Sequence, residues 1–224
     1  MKKRIFITAT NTDIGKTYTT MKLMDEYASR GMRVGVLKLI ETGVVEDVYP
    51  DGDLLLQKLQ AINPECDDLS VSDIVPISYE LPAAPYIASG GEMLDFDVLN
   101  AAIEKMEQRC DILLIEGAGG LMVPVDYSFM MIDLISFFSA NALLVTHCVL
   151  GCINDTLLSQ TALDNRNITT VTAFNCRENE ADFKKLSEPY FLKKKQDLFR
   201  IESDIAKIAD ELLASFKPAA IVNL

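Results

Sequence analysis

Apolar residues along this chain gather in short runs rich in β-branched side chains, at 4–8, 34–37, 112–115, 143–145 and 169–174. The runs are mostly apolar rather than alternating with polar positions, the pattern of strands in a parallel sheet covered on both faces. Between them lie longer stretches with apolar residues at helical spacing, at 16–29, 96–108, 154–165 and 204–216. Asp95 is placed to cap one helix start and Gly31 to stop one helix end. Strand alternating with helix predicts an α/β fold, doubly wound, with a mostly parallel sheet and helices on both faces. No repeat, low-complexity tract or Pro/Ser-rich linker divides the chain, so it reads as a single domain over 1–224. Two stretches, 41–51 and 69–91, carry Pro50, Pro76, Pro82 and Pro85 and read as long ordered loops, where function often sits. Met and Phe residues around 129–138 have a helical spacing that reads as core.

Composition narrows the field. With 49% apolar residues the chain can bury a full core. It carries 21 basic and 33 acidic residues, a net charge of −12, which argues against a nucleic-acid partner, since phosphate-backbone affinity is cation-driven. No apolar stretch is long enough to span a bilayer, and the first apolar run is too short for a signal peptide, so no membrane partner and a cytoplasmic location are expected. The five cysteines are odd in number and scattered without a C-x-x-C, which suits a reducing compartment and small buried hydrophobes better than a disulfide framework. One histidine, His147, leaves little for a zinc site.

The acidic balance means that any anionic ligand must meet a local positive site, and the first strand leads straight into one. After Ala9 the chain runs Thr10, Asn11, Thr12, Asp13, Ile14, Gly15, Lys16, Thr17 and Tyr18 into a helix. A strand-to-helix loop ending in Gly-Lys-Thr is a P-loop NTPase signature. Its amides and the helix N-terminus meet phosphate, the lysine reaches the β- and γ-phosphates, and the threonine hydroxyl meets Mg²⁺. Thr10 stands where that motif carries its first glycine. Lys38, directly after the second strand, places another cation at the same sheet edge. The strand at 112–115 ends in Glu116, as a Walker-B acid would, followed by Gly117-Ala-Gly-Gly120. Met122 and Pro124 exclude a dinucleotide fingerprint. Asp53, after Asp51-Gly52, is either a helix cap or, if the preceding loop folds back over the phosphates, a metal ligand. The run Leu150, Gly151, Cys152, Ile153, Asn154 is either a glycine turn with an Asn cap or an anion site for a small carboxylate.

Together the loop 10–17, Lys38, Pro82-Ala-Ala-Pro85, Glu116 to Gly120 with Val123-Pro124, and Leu150 to Asn154 resemble the dethiobiotin synthetase family, in family order over most of 4–176. The resemblance implies a homodimer that uses ATP and Mg²⁺ to join CO₂ to 7,8-diaminononanoate through a carbamate and a mixed anhydride. It implies Lys16, Lys38 and Thr12 at the reacting centre and a nucleotide held by 11–18 and Asn175. Thr42 would touch substrate, and Thr17, Asp53 and Glu116 would hold Mg²⁺. Gly151, Cys152, Ile153 and Asn154 would take the diamine's carboxylate, from the other subunit. The family's downstream Gly-x-x-Pro segment is absent and 188–200 looks rebuilt, which predicts weak discrimination among nucleotide bases. Two alternatives share the fold, a cobyrinic-acid-type synthase and a MinD/ParA-like nucleotide switch.

Overall fold

The computed structural model describes residues 2–216. Its elements run β1 (Lys3–Ala9), α1 (Lys16–Ser29), β2 (Val34–Lys38), β3 (Ile40–Thr42), α2 (Gly52–Ile62), α3 (Val71–Ile74), β4 (Ile77–Tyr79), α4 (Pro85–Ala88), α5 (Phe96–Glu107) and β5 (Ile112–Glu116). They continue with α6 (Met131–Phe137), β6 (Asn141–His147), α7 (Cys152–Asp164), β7 (Thr170–Asn175), α8 (Glu180–Leu186), α9 (Glu188–Lys193), β8 (Phe199–Arg200) and α10 (Ile205–Ala214).

Six strands form one parallel sheet in the order β2-β5-β1-β6-β7-β8. The chain winds from β1 towards β2 on one side and later from β6 through β7 to β8 on the other. Parallel crossovers are right-handed, so this reversal sends helices to opposite faces. α1 packs with α2 and α10 on one face; on the other, α5 meets α6 through the Phe96 and Phe137 rings, 4.6 Å apart. Covered on both sides, Ile5, Phe6 and Ile7 of β1 and all of β5 are buried. Gly35 of β2 lets α5 close in, since a Cβ there would stand 2.8 Å from Cys110 Sγ and from Met106 Cγ.

Several elements differ from the sequence reading. The stretches 41–51 and 69–91 are not plain loops: Ile40–Thr42 and Ile77–Tyr79 pair in a small parallel sheet too short for a periodicity to register. The rebuilt segment 188–200 supplies α9 and a sixth strand of two residues. The helix expected from 154 begins at Cys152, because Gly151 at φ +102° turns the chain into it two residues earlier. Asp95 does cap α5, accepting from the Asp97 and Val98 amides. The cysteine reading is corrected at one pair. Cys148 and Cys176, at the carboxyl ends of neighbouring strands β6 and β7, are disulfide-bonded, a proximity that spacing along the chain cannot reveal. Cys66, Cys110 and Cys152 are free and buried.

Candidate active site

Ligands of open parallel sheets bind beyond the carboxyl ends of the strands, and three strand ends converge here. Lys38 and Glu116 end β2 and β5 as register partners, and Ile7 of β1 is the other partner of Glu116. Beyond β1 the chain turns through 10–15, with Asp13 at φ +58° and Gly15 at φ +97°, before entering α1. Only glycine fits position 15: besides its φ, a Cβ would stand 2.2 Å from Asn175 Nδ2. That amide holds the loop by donating to the Ile14 carbonyl at 2.7 Å.

At the centre is a network of buried charge. Lys38, 4% exposed, places Nζ 2.6 Å from Asp51 Oδ2 and 2.8 Å from Glu116 Oε1, and Glu116 is fully buried. Thr17 Oγ1 lies 2.7 Å from Asp51 Oδ1 and 2.8 Å from Glu116 Oε1. One hydroxyl proton cannot serve both carboxylates at once. Thr20 Oγ1 donates to the other Glu116 oxygen at 2.7 Å. Lys16 folds back over the loop, its Nζ 3.3 Å from the Asn11 carbonyl. Burial first, and then the charge of Lys38, pull the Lys16 pKa from 10.5 down to about 8. Burial also works to lower the Lys38 pKa, but the charges of Glu116 and Asp51 outweigh it and the net shift is upward. The two lysines therefore differ: Lys38 is locked as a cation, while Lys16 is poised to lose its charge in mild alkali.

The aspartate that meets Thr17 and Lys38 is Asp51, not Asp53. Asp53 Oδ2 accepts from the Tyr49 amide at 2.9 Å, and the side chain is exposed, away from Thr17 and Glu116. Helical rotation separates the two, so only one of a pair at i and i+2 can face the site. Glu41, which the sequence reading passed over, sets that choice. Its carboxylate, 3% exposed, accepts from the Asp51 amide at 2.6 Å and the Gly52 amide at 3.0 Å, fixing the start of α2. Burial raises the Glu41 pKa. A hydrophobic run says where α2 lies, but no spacing rule ties Glu41 to it across ten residues.

Thr17 Oγ1, Asp51 Oδ1 and Glu116 Oε1 form an all-oxygen donor set, the chemistry that a hard divalent cation such as Mg²⁺ takes. Among the described residues no three Asp, Glu, His or Cys side chains cluster, so phosphate and water would complete such a shell. The cavity above has a volume of about 530 Å³ and is bordered by Thr12, Lys16, Lys38, Thr42, Asp51 and Gly119, among others. Tyr18 and Arg177 also border it; Arg177 carries no motif and went unnoticed in the sequence.

Other expected residues stand apart. Gly151, Cys152, Ile153 and Asn154 begin α7 and do not border this cavity, and Cys152 is fully buried. Asn154 Nδ2 donates to Asp155 Oδ1, while Asp155 Oδ2 lies 2.9 Å from His147 Nε2. Asn175 is 9% exposed, with its Nδ2 engaged by Ile14 and its Oδ1 buried without a partner among the described residues.

Known proteins resemble this chain along most of its length. The AAA-domain family profile matches residues 3–206. A protein of Sulfurovum sp. described as an ATP-dependent dethiobiotin synthetase is 46% identical over 84% of this chain and 89% of its own length. One of Wolinella succinogenes with the same description is 37% identical over 95% of this chain and 99% of its own. Among solved structures, a plasmid partition protein from Borrelia burgdorferi superposes with a TM-score of 0.53 at 11% identity, covering 96% of this chain and 97% of that one. The cell division ATPase MinD of Pyrococcus furiosus gives 0.51 at 18%, covering 96% and 100%. At such identities these two share the P-loop NTPase fold and nothing further is carried over.

Proposed function

We propose, from the premise that this chain belongs to the ATP-dependent dethiobiotin synthetase family, that it closes the cyclic urea of dethiobiotin from 7,8-diaminononanoate and CO₂ at the expense of ATP. The observation that supports this most is the pairing of two buried lysines with the Thr17, Asp51 and Glu116 oxygens under one cavity. One substrate amine takes up CO₂ as a carbamate. A carbamate oxygen then attacks the γ-phosphorus and ADP leaves. The second amine attacks the carbamoyl carbon of the mixed anhydride and phosphate leaves, closing the ring; the amine protons pass to phosphate and solvent. No protein nucleophile takes part, so the chain contributes positioning and electrostatic stabilisation.

In this reading the loop amides from Asn11 to Tyr18 hold the nucleotide phosphates, Lys16 and Lys38 meet the charge that develops between carbamate and γ-phosphate, and Thr12 and Thr42 border the reacting groups. Thr17, Asp51 and Glu116 would hold Mg²⁺, which when bound neutralises phosphate charge. Lys38 fits its role because Asp51 and Glu116 keep it charged in the absence of substrate.

We further propose a homodimer. Met122, Leu150 and Leu158 are 61%, 87% and 64% exposed, and a groove of about 280 Å³ runs between Gly120–Val123 and Leu158 and Ala162. Met122 and Leu158 line that groove, and exposed apolar side chains along a groove suit a second copy. The 151–154 turn, outside the cavity of its own chain, would then take the diamine carboxylate in the neighbouring site. No helix among the described residues is long and apolar enough to cross a membrane, and we place the enzyme in the cytoplasm. The test is phosphate release with diaminononanoate, bicarbonate, Mg²⁺ and ATP, omitting each in turn. Release must depend on the diamine. Release that continues without it would point to a MinD-like nucleotide switch instead.

A further inference from the structure

The turn after β7 carries Arg177 in a left-handed conformation, φ +38°, and sets its guanidinium 5.0 Å from the centre of the Tyr18 ring. Tyr18 is itself anchored, its hydroxyl donating to Glu202 Oε1 at 2.7 Å while the other oxygen of that carboxylate lies 3.5 Å from Lys22 Nζ. The guanidinium also borders the phosphate loop: a Cβ on Gly15 would stand 3.5 Å from Arg177 Nη2. Arg177 lines the main cavity together with Lys16 and Lys38. It also lines a second cavity, of about 180 Å³, with Phe174, Arg200, Glu202 and Ser203. It stands at the threshold between the two.

Its place across the sheet tells which end of a nucleotide it would meet. Lys38 and Glu116 end β2 and β5, on one side of β1, while Arg177 follows β7 on the other. In a phosphate loop the lysine reaches the β- and γ-phosphates, whereas the amides cradle the α- and β-phosphates. Arg177 follows β7, two strands beyond β1 and opposite to Lys38 and Glu116, so its guanidinium stands away from the reacting γ end, on the side left for the nucleoside. Stacking on an aromatic face leaves the N–H edge free, and a planar fork of donors matches phosphate oxygens. The turn is also pre-organised. Asn175, two residues before Arg177, is tied to Ile14; an arm already ordered loses less entropy on binding.

We propose that Arg177 clamps the α-phosphate of the bound nucleotide, supplying affinity at the nucleoside end of the site that does not depend on the base. The proposal rests on the reading of the chain as an ATP-dependent enzyme. Of the side chains nearby, Glu202 is spent on Tyr18 and Lys22 and the Asn175 amide nitrogen on the Ile14 carbonyl; Asn175 Oδ1, unpartnered among the described residues, is an acceptor and cannot grip phosphate, so that task falls to the guanidinium.

The test compares wild type, Arg177→Ala and Arg177→Lys by ADP calorimetry and by steady-state kinetics with ATP, GTP and CTP. A charge-assisted hydrogen bond to phosphate is worth on the order of tenfold or more in affinity. Arg177→Ala is expected to raise the ADP Kd and the KM of all three triphosphates by about that factor, equally, with kcat changed less than about threefold, because the contact is made in ground and transition state alike. Arg177→Lys, which keeps the charge and loses the fork, is expected to fall between. Unchanged Kd and KM in the folded Ala variant would overturn the proposal. So would a tenfold spread between bases, which would mark a base contact, or a fall in kcat at constant KM, which would place the arginine at the γ end. A wild type that binds no ADP would instead sink the ATP-dependent reading.

Discussion

Replacing Lys38 with methionine is expected to damage the fold as well as the chemistry. The ammonium is 4% exposed and its partner Glu116 is fully buried, whereas the Asp51 side chain is 36% exposed. Asp51 can recover hydration when the lysine goes; Glu116 cannot, and keeps only the Thr17 and Thr20 hydroxyls. Removing one partner of a buried ion pair costs about 3–5 kcal/mol, because the survivor is left uncompensated. For a chain of this size each kcal/mol lowers Tm by roughly 2–4 °C, so the expected drop is about 6–20 °C. Turnover should fall by on the order of 10²–10³-fold besides. The assay is thermal unfolding of Lys38→Met, Glu116→Gln and the double variant. Removing both charges relieves the frustration that each single change creates, so the double variant should be more stable than the two losses summed, with a coupling of about 1–3 kcal/mol. The Lys38 contribution should stay level from pH 6 to 9. A group whose folded pKa is raised contributes fully below its unfolded pKa of 10.5 and loses that contribution only as pH climbs through the folded value. A Lys38→Met protein melting within 2 °C of wild type, or strict additivity in the double variant, would refute the reasoning.

Three further outcomes are expected. Asp51→Asn should shift the Mg²⁺ dependence of activity to higher concentration while Asp53→Asn leaves it in place, as a titration of rate against Mg²⁺ would show; the reverse order would return Asp53 to the metal site. Gly15→Ala should abolish ADP binding by calorimetry, because its Cβ would meet Asn175 Nδ2 at 2.2 Å on backbone at φ +97°, and binding within threefold of wild type would contradict that. Lys16, with its folded pKa near 8 against 10.5, binds fewer protons folded than unfolded between those values, so the cost of burying its charge is full below 8 and lifts as pH rises from 8 to 10.5. ADP should restore the missing proton, and calorimetry at pH 8.5 in buffers of different ionisation enthalpy should record net proton uptake; identical heats after correction for the buffers would argue against it.

What the sequence discloses follows from how local each signal is. β2, β5 and the middle of β1 and β6 are apolar on both faces, and α1 was legible to the residue because Gly15 and Gly31 bracket it. Lys38 and Glu116 could be placed at one sheet edge because a strand end fixes where the next side chain goes, and Lys16 and Thr17 beside them because Gly15 marks the entry to α1. Asp51 was missed in favour of Asp53 because the choice is made by Glu41, through a contact that exists only once the loop has closed. β3, β4 and β8 escaped because two or three residues cannot display a period, and the Cys148–Cys176 bond because its partners are 28 residues apart on strands whose adjacency is a matter of topology. Arg177 belongs to no motif; it gains meaning from the Tyr18 ring beneath it.

The pairing of Lys38 with Glu116 at the last rung of β2 and β5 makes strand alignment a condition of charge placement. Side chains alternate across a sheet, so inserting or deleting one residue between Gly35 and Lys38 would carry the ammonium to the opposite face, while the apolar strand, buried on both sides, would lose little by the slip. Beyond Gly35, where α5 closes in, hydrophobic burial is thus nearly indifferent to the alignment of this strand, and the ion pair is what distinguishes one alignment from the next. A chain that lost its reaction would also lose a reason to keep its edge strand in place.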